Sequence, residues 1–314
     1  MIGFIVKRAI WLLVILFAIS YVCFAMVHFS SGSVVYAKNP QGSALLRAQI
    51  ESNLNLDKSL NWQYLSWLKG AIRGDFSHSL ITGESVNAIL SERVASTLIL
   101  GGVALIGLFI LSVFFAILSV IYKDKFIDKI INYFSMGFFA MPTFALCLVL
   151  MLFFSVYLGI LPSLGSADIG FEDDWMNRLK HLILPVSALI LAHLGAYIRI
   201  FRTIVIDSLN QPFIQCAFAR GLSAKRIYFH LILKHAFPHI LTYFSANAVA
   251  FVVNSYVVES VFAIGGIGSL AIEGIIFKDY PIVLAVIILS VIGVVVLNAL
   301  AEICAKSIDK RRYA

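Results

Sequence analysis

Residues 213 to 240 read FIQCAFARGLSAKRIYFHLILKHAFPHI, a basic island between two long apolar runs. Pro212 suits the first turn of a short helix, where its missing N–H is not needed. That helix is expected to run to about Arg220, and Gly221 supplies the left-handed turn that stops it. Ser223 is placed as the N-cap of a second helix starting at Ala224. Ile214, Ala217 and Phe218 fall on one face of the first helix at i, i+3 and i+4, with Phe213 beside them. A helix of two turns is marginal alone in water, so this one needs a surface to pack on. Lys225 and Arg226 sit in the first turn of the second helix, where the macrodipole disfavours positive charge. Two readings of the island stand: a docking element for a partner on the cytoplasmic face, or a basic loop held inside by the positive-inside rule.

The apolar runs on either side decide the class. The chain has 314 residues, 61% hydrophobic and only 13% charged, with a mean hydropathy of +0.94. A soluble domain is nearer half apolar and a quarter charged, so this is an all-α integral membrane protein. The net charge of +7 gathers in loops that orientation places in the cytoplasm and does not point to nucleic acid. Cys23, Cys147, Cys216 and Cys304 lie far apart with no C-x-x-C, which reads as small apolar side chains.

Taken in order, Lys7 and Arg8 precede an apolar run from Ala9 to about Val27, too long for a signal-peptide core and without a small-x-small cleavage site. It reads as a retained first span with the N-terminus inside. Residues 30–93 form a long polar insert on the outer side, in which Tyr64, Leu65, Leu68 and Ile72 give an apolar face at helical spacing and Trp62 and Trp67 suit an interface. Further spans are expected over Leu98–Ile121, Ile130–Leu158 with a bend at Pro142, Leu182–Ile204 containing Pro185, Ile240–Ile264 and Ile282–Cys304. Lys123, Lys125, Lys129, Arg199, Arg202 and the cluster from Lys306 to Arg312 mark inner ends, and Glu172, Asp173 and Asp174 an outer loop. Gly265, Gly266 and Gly268 predict a re-entrant or surface turn, with φ > 0 at Gly268.

No phosphate loop G-x-x-x-x-G-K-[ST] occurs, nor G-x-S-x-G or H-E-x-x-H, so the chain is read as no enzyme and as needing no cofactor. His235 and His239 have metal-ligand spacing, but Pro238 lies between them, and a surface or interfacial role beside His230 is favoured over a metal site. Polar groups at membrane depth are functional candidates by default. These are His193, Asn247, Asn254 and Glu259, with Asn298 and Glu302 read as helix–helix hydrogen bonding. Asn247 and Asn254, seven apart on one face of the fifth span, and Glu259 are candidates for a translocation path.

A short helix, a glycine and a second helix between two late spans resemble the coupling loop of ABC importer permeases, specifically the dipeptide, oligopeptide and nickel group. Ala217, Phe218, Ala219, Arg220, Gly221, Leu222 and Ser223 match the A-R-A-K-G-L-S form of that loop, although Gln215 and Cys216 replace the Glu-Ala of the wider consensus. Two further stretches agree in order. Leu56 to Leu98 carries Leu-Asp-x-x-Leu, Gln-Tyr-Leu-x-Trp-Leu and Gly-Asp-Phe-x-x-Ser. Val257 to Pro281 carries an outer signature in which Glu259, Phe262, Gly266, Gly268, Asp279, Tyr280 and Pro281 match and Gly265 replaces the usual proline. Ser31 to Val35 stands where the family has Gly-Asp-Pro.

The resemblance implies a type I importer permease fold of about six spans with an N-terminal span at 1–29, the periplasmic insert at 30–93, a core permease domain at 94–306 with a cytoplasmic coupling loop at 207–238, and a cytoplasmic tail at 307–314. Phe213, Ala217, Phe218, Arg220, Gly221, Ser223 and Arg226 would carry the coupling. The implied partners are a second permease subunit, two ATP-binding subunits, a periplasmic or lipoprotein solute-binding protein, and the membrane lipid of a bacterial inner membrane. The implied function is import of small peptides by alternating access, the alternatives being nickel or a nickel chelate moved by the same machinery, or a carrier or channel working alone. Both termini are expected in the cytoplasm. Reporter fusions at Ala314 and within residues 40–90 should therefore report opposite sides of the membrane; the same side for both would break the six-span topology.

Overall fold

A computed structural model describes residues 14, 17–26, 29 and 58–308. Most of the first span, Lys7 and Arg8, the insert up to residue 57, the side chains of Asn298, Glu302 and Lys306, and the tail from residue 309 lie outside the described part. The described elements are all helical: α1 (Phe17–Met26), α2 (Leu60–Ala71), α3 (Val86–Ile121), α4 (Phe126–Ala140), α5 (Thr143–Tyr157), α6 (Trp175–Leu209), α7 (Pro212–Ala219), α8 (Ala224–Ala246), α9 (Ala248–Val261), α10 (Ile267–Phe277) and α11 (Tyr280–Ile308). Among the described residues, α3, α6 and α11 are each long and apolar enough to cross a membrane, and the bent pairs α4–α5 and α8–α9 bring the candidates to five if each pair is one crossing.

The chain divides into two compact units, residues 1–97 with 265–293, and residues 98–264 with 294–314. In the first, α2 packs Tyr64 and Trp67 into a cluster with Phe24 and Leu284. Tyr64 donates or accepts a 2.8 Å bond with Ser20 and stands edge-on to Phe17 and Tyr21. The buried face of α2 therefore differs from the expected one: Gln63, Tyr64 and Trp67 are inside, while Leu65 and Ile72 are exposed. Large aromatic side chains bury more area than Leu or Ile, and α1 presents aromatic partners.

The second unit is built on α3 and α6, whose Leu100, Ala104, Leu108, Leu189, Tyr197 and Phe201 lie in one core with Phe251, Val258 and Phe262 of the chain around α9. Helix α3 begins at Val86, well before the expected Leu98, because its first turns carry Asn87, Ser91, Glu92 and Arg93, which hide them from a hydropathy reading. Helix α6 likewise starts at Trp175. The Asp174 carboxylate accepts from Met176 N–H at 2.9 Å, so one member of the acidic cluster is a helix cap. Beside it, the Gly170 N–H donates to Glu172 at 3.1 Å and holds that carboxyl below its usual range.

The proline expected to bend the third span ends a helix. Helices α4 and α5 meet at 107° across Met141 and Pro142. Pro142 caps α5 at φ −57° and ψ 137°, and Met141 before it is extended, as residues preceding proline prefer. Helix α4 lies so close to α6 that a Cβ on Gly195 would sit 2.1 Å from the Ser135 carbonyl oxygen and 2.9 Å from Phe139 Cβ. Gly195→Ala should therefore push α4 off α6 at a cost of about 1–3 kcal/mol. Gly137→Ala on α4, with nothing within 4 Å, should have little effect. Thermal unfolding of the two variants in detergent checks the difference.

Candidate functional site

The opening island folds as two helices around a left-handed glycine. Helix α7 starts with Pro212 after an extended Gln211 and ends at Arg220, and Gly221 takes φ +74°. The Gly221 N–H donates to Phe218 O at 2.9 Å and the Leu222 N–H to Ala217 O at 3.2 Å, the paired bonds that close a helix through a left-handed residue. Ser223 stands at the N-cap position of α8 with an extended backbone, but its side chain makes no capping bond. The N–H groups that it would satisfy sit on an exposed turn open to water.

The face predicted for α7 is split by burial. Ile214 and Ala217 pack inward in a cluster with Ile117 and Val120 of α3, Val205 of α6, and Ile227 and Ile232 of α8. Phe213 and Phe218 remain exposed, at 46% and 44%. Arg220, Lys225 and Arg226 are exposed beside them. Phe229, 52% exposed, joins the outer side and was not legible from sequence. It lies in a π-helical stretch, Ile227–Ile232, which shifts the side-chain phase and defeats a 3.6-residue projection. His235 is occupied locally: its Nδ1 is 3.0 Å from Ser208 Oγ and its ring centroid 5.4 Å from that of Phe213. Among the described residues no group of three or more His, Cys, Asp or Glu is placed to hold a metal ion.

Of the polar residues expected along the fifth span, Asn247 stands at the junction where α8 and α9 meet at 55°, and Asn254 lies within α9. The Asn247 backbone N–H turns to Ser245 O, and its side-chain Nδ2 donates instead to Tyr243 O at 2.9 Å. Asn254 Oδ1 accepts from Thr143 Oγ1 at 3.1 Å, and its Nδ2 lies 3.1 Å from His193 Nε2. One side-chain amide so ties α5, α6 and α9. Glu259 is fully buried, and the Ile264 N–H donates to its carbonyl at 2.8 Å. Phe262 is buried too, and its carbonyl accepts from Gly165 N–H at 2.8 Å.

The outer signature resolves into helix ends. Gly268 is not left-handed, contrary to expectation, nor is Gly266; the positive φ values in that stretch belong to Ala263, at 52°, and Lys278, at 59°. Gly266 is the extended N-cap of α10, and Gly268 is buried in its first turn. The Gly266 N–H donates to Ser269 Oγ at 3.1 Å and the Ile267 N–H to Thr97 Oγ1 at 2.8 Å, so two N-terminal donors are satisfied by side chains. Lys278 ends α10 in the left-handed conformation, and α11 begins at Tyr280 with Pro281 in its first turn. Between them Asp279, 2% exposed, accepts from Ser79 Oγ, from Leu80 N–H at 3.1 Å and from Ile81 N–H at 3.4 Å. Ser79 closes the Gly74-Asp75-Phe76-x-x-Ser motif, so two sequence signatures some two hundred positions apart are halves of one hydrogen-bonded turn.

These are the parts of a multi-pass helical membrane protein that carries a short helical hairpin, α7 with the start of α8. The chain belongs to the family of binding-protein-dependent transport system inner membrane components, which matches residues 108–312, and the family's N-terminal region matches residues 1–101. It is an ABC importer permease subunit of the peptide and nickel group, a multi-pass inner-membrane protein of the kind that works with ATPase and substrate-binding components. It is 31% identical over 313 residues to the oligopeptide transport system permease protein AppB of Bacillus subtilis (strain 168), covering 99% of each chain. To OppB of Haemophilus influenzae it is 32% identical with both chains fully covered, and to the glutathione transport system permease protein GsiC of Escherichia coli (strain K12) 26% identical with 98% of each covered. Among solved structures it resembles the inward-facing MetNI methionine ABC transporter, with a TM-score of 0.56 at 17% identity, over 70% of this chain and 96% of that one. The fold is that of a type I importer permease.

The Asp279 turn generates a test. Asp279→Ala leaves the Ser79 hydroxyl and the Leu80 N–H without their acceptor, at about 1–3 kcal/mol. Hydrogen exchange at Leu80 and Ile81 should accelerate by about tenfold or more, whereas Ser79→Ala, which keeps both backbone bonds, should have a smaller effect.

Proposed function

We propose that this chain is a permease subunit of a peptide importer and that α7 with the start of α8 is its coupling element. ATP would be hydrolysed by two separate ATPase subunits bound below it. The observation that carries the coupling reading is the division of α7 between Ile214 and Ala217, buried on α3 and α6, and Phe213 and Phe218, exposed among Arg220, Lys225 and Arg226. A two-turn helix seated on the body by one face and offering aromatic side chains on the other has the form of a docking knob; buried aromatics commonly dominate small interfaces. The printed names of relatives similar over nearly the whole chain, oligopeptide and glutathione permeases, support a peptide substrate.

On this reading a second permease subunit completes the path, a periplasmic or lipoprotein solute-binding protein delivers peptide from outside, and both termini lie in the cytoplasm. The core permease domain spans residues 94–306, its cytoplasmic loop residues 207–238. Closure of the ATPases moves α7 and turns the path between inward- and outward-facing states. Asn247, Asn254 and Glu259 are proposed to border that path, and the outer segment around Gly266 and Asp279 to face the binding protein.

Phe218→Ala should weaken ATPase-subunit binding by about tenfold, equivalent to about 1.4 kcal/mol. Gly221→Val acts differently. A β-branched residue at φ +74° strains the turn by about 1 kcal/mol or more and re-aims α7, so ATP hydrolysis should continue with little uptake. Co-purification of the ATPase subunit, together with ATPase and uptake rates in proteoliposomes, checks both. Full binding and coupled transport in both variants would reduce the stretch to a basic loop.

A further inference from the structure

Resting on the reading of α7 as the coupling element, we infer that the ion pair between Asp128 and Arg202 is a positioning device. It holds the cytoplasmic ends of α3, α4 and α6 as one block, so that a displacement of α7 is passed on to the helices and not absorbed where it arrives.

The pair is built with every acceptor used. Arg202 Nη2 donates to Asp128 Oδ2 at 3.0 Å and Arg202 Nε to Ser119 Oγ at 2.9 Å. The Ser119 hydroxyl donates to Asp128 Oδ1, which also accepts from Asn132 Nδ2 at 2.7 Å. The Asp124 N–H, in the turn before α4, donates to Asp128 Oδ2 at 3.0 Å. Asp128 and Ser119 are buried, so each carboxylate oxygen holds two bonds away from water. Lys123, Lys125 and Lys129 nearby are all exposed, so the loop keeps its other charges in solvent and buries this one.

The position of this network relates it to α7. Ile117 and Val120 flank Ser119 on α3, and Val205 follows Arg202 by three residues on α6. Those three apolar side chains are the seat on which Ile214 and Ala217 rest. The seat and the ion pair are therefore adjacent layers of the same two helix ends. Apolar contacts resist separation but permit sliding, whereas the planar fork of an arginine fixes angle and register. A buried ion pair seldom adds net stability over apolar groups of the same volume. Its contribution here is orientation: α3, α4 and α6 are kept from shifting separately when the knob is pushed.

The test compares variants in the assembled transporter, reading peptide taken up per ATP hydrolysed in proteoliposomes. Asp128→Leu with Arg202→Met removes both charges together and leaves no unpaired buried charge, so assembly should survive. The expected result is wild-type assembly and ATPase rate, with peptide moved per ATP lower by about fivefold or more. Arg202→Lys, which keeps the charge without the fork, should lie between. An unchanged ratio in the double variant overturns the proposal and leaves the pair a packing feature. If the double variant does not assemble, Ser119→Ala decides, since it removes only the bridging hydroxyl. A ratio lower by about threefold agrees with the proposal, and no change overturns it. Phe218→Ala is measured alongside. If it keeps full ATPase binding and coupling, the coupling-element reading itself fails; if it loses them while the pair variants keep their ratio, only this inference fails.

Discussion

A chain in lipid has no water to satisfy its backbone, so every N–H and C=O at membrane depth must find a partner inside the protein. Continuous helix meets this demand automatically, which is why α3, α6 and α11 are long and unbroken. The informative places are where the helix stops. At Pro142 the bend is closed by the Leu146 N–H returning to Pro142 O at 3.0 Å, while Thr143 reaches across to Asn254. At Asn247 the side-chain amide takes the Tyr243 carbonyl that the backbone N–H has left. The break at Asn247 is satisfied by the short polar side chain beside it, so a polar residue of that span serves the backbone directly.

The same constraint sorts the charges. The Asp128–Arg202 pair is inside the fold only because each oxygen of the carboxylate is bonded twice. Lys123, Lys125 and Lys129 beside it are exposed, as are Arg220, Lys225 and Arg226 of the hairpin that carries Phe213 and Phe218. One face of α7 is thus apolar and buried in the protein's own interior, while Phe213 and Phe218 on the helix stay exposed. A two-turn helix can show both only because Gly221 turns the chain sharply enough for α8 to support it from behind.

Much of this was legible in the sequence. Pro212, Gly221 and the apolar spacing of Ile214 and Ala217 locate α7 and its turn to within a residue, because local backbone rules decide them. The long apolar runs locate the spans, but not their ends: polar first turns such as those of α3 and α6 look like loop. What failed did so for tertiary reasons. Which face of α2 is buried depends on the aromatic partners of α1, and Phe229 is turned outward by a π-helical insertion that leaves no mark in the spacing. The glycines of the outer signature suggested a left-handed turn, yet that conformation falls on Ala263 and Lys278, where neighbouring helix ends impose it. Nothing in a linear reading joins Ser79 to Asp279.

That last connection bears on how the protein is made. The Ser79 turn leaves the ribosome some two hundred residues before its carboxylate partner exists. At the usual elongation rates this is a wait of about 10–40 s. During that interval α3 to α10 are synthesised while the turn has only its local hydrogen bonds to hold it. The first unit is therefore completed only when residues 265–293 arrive, and a nascent chain that stops short of residue 279 carries the Ser79 turn without its latch.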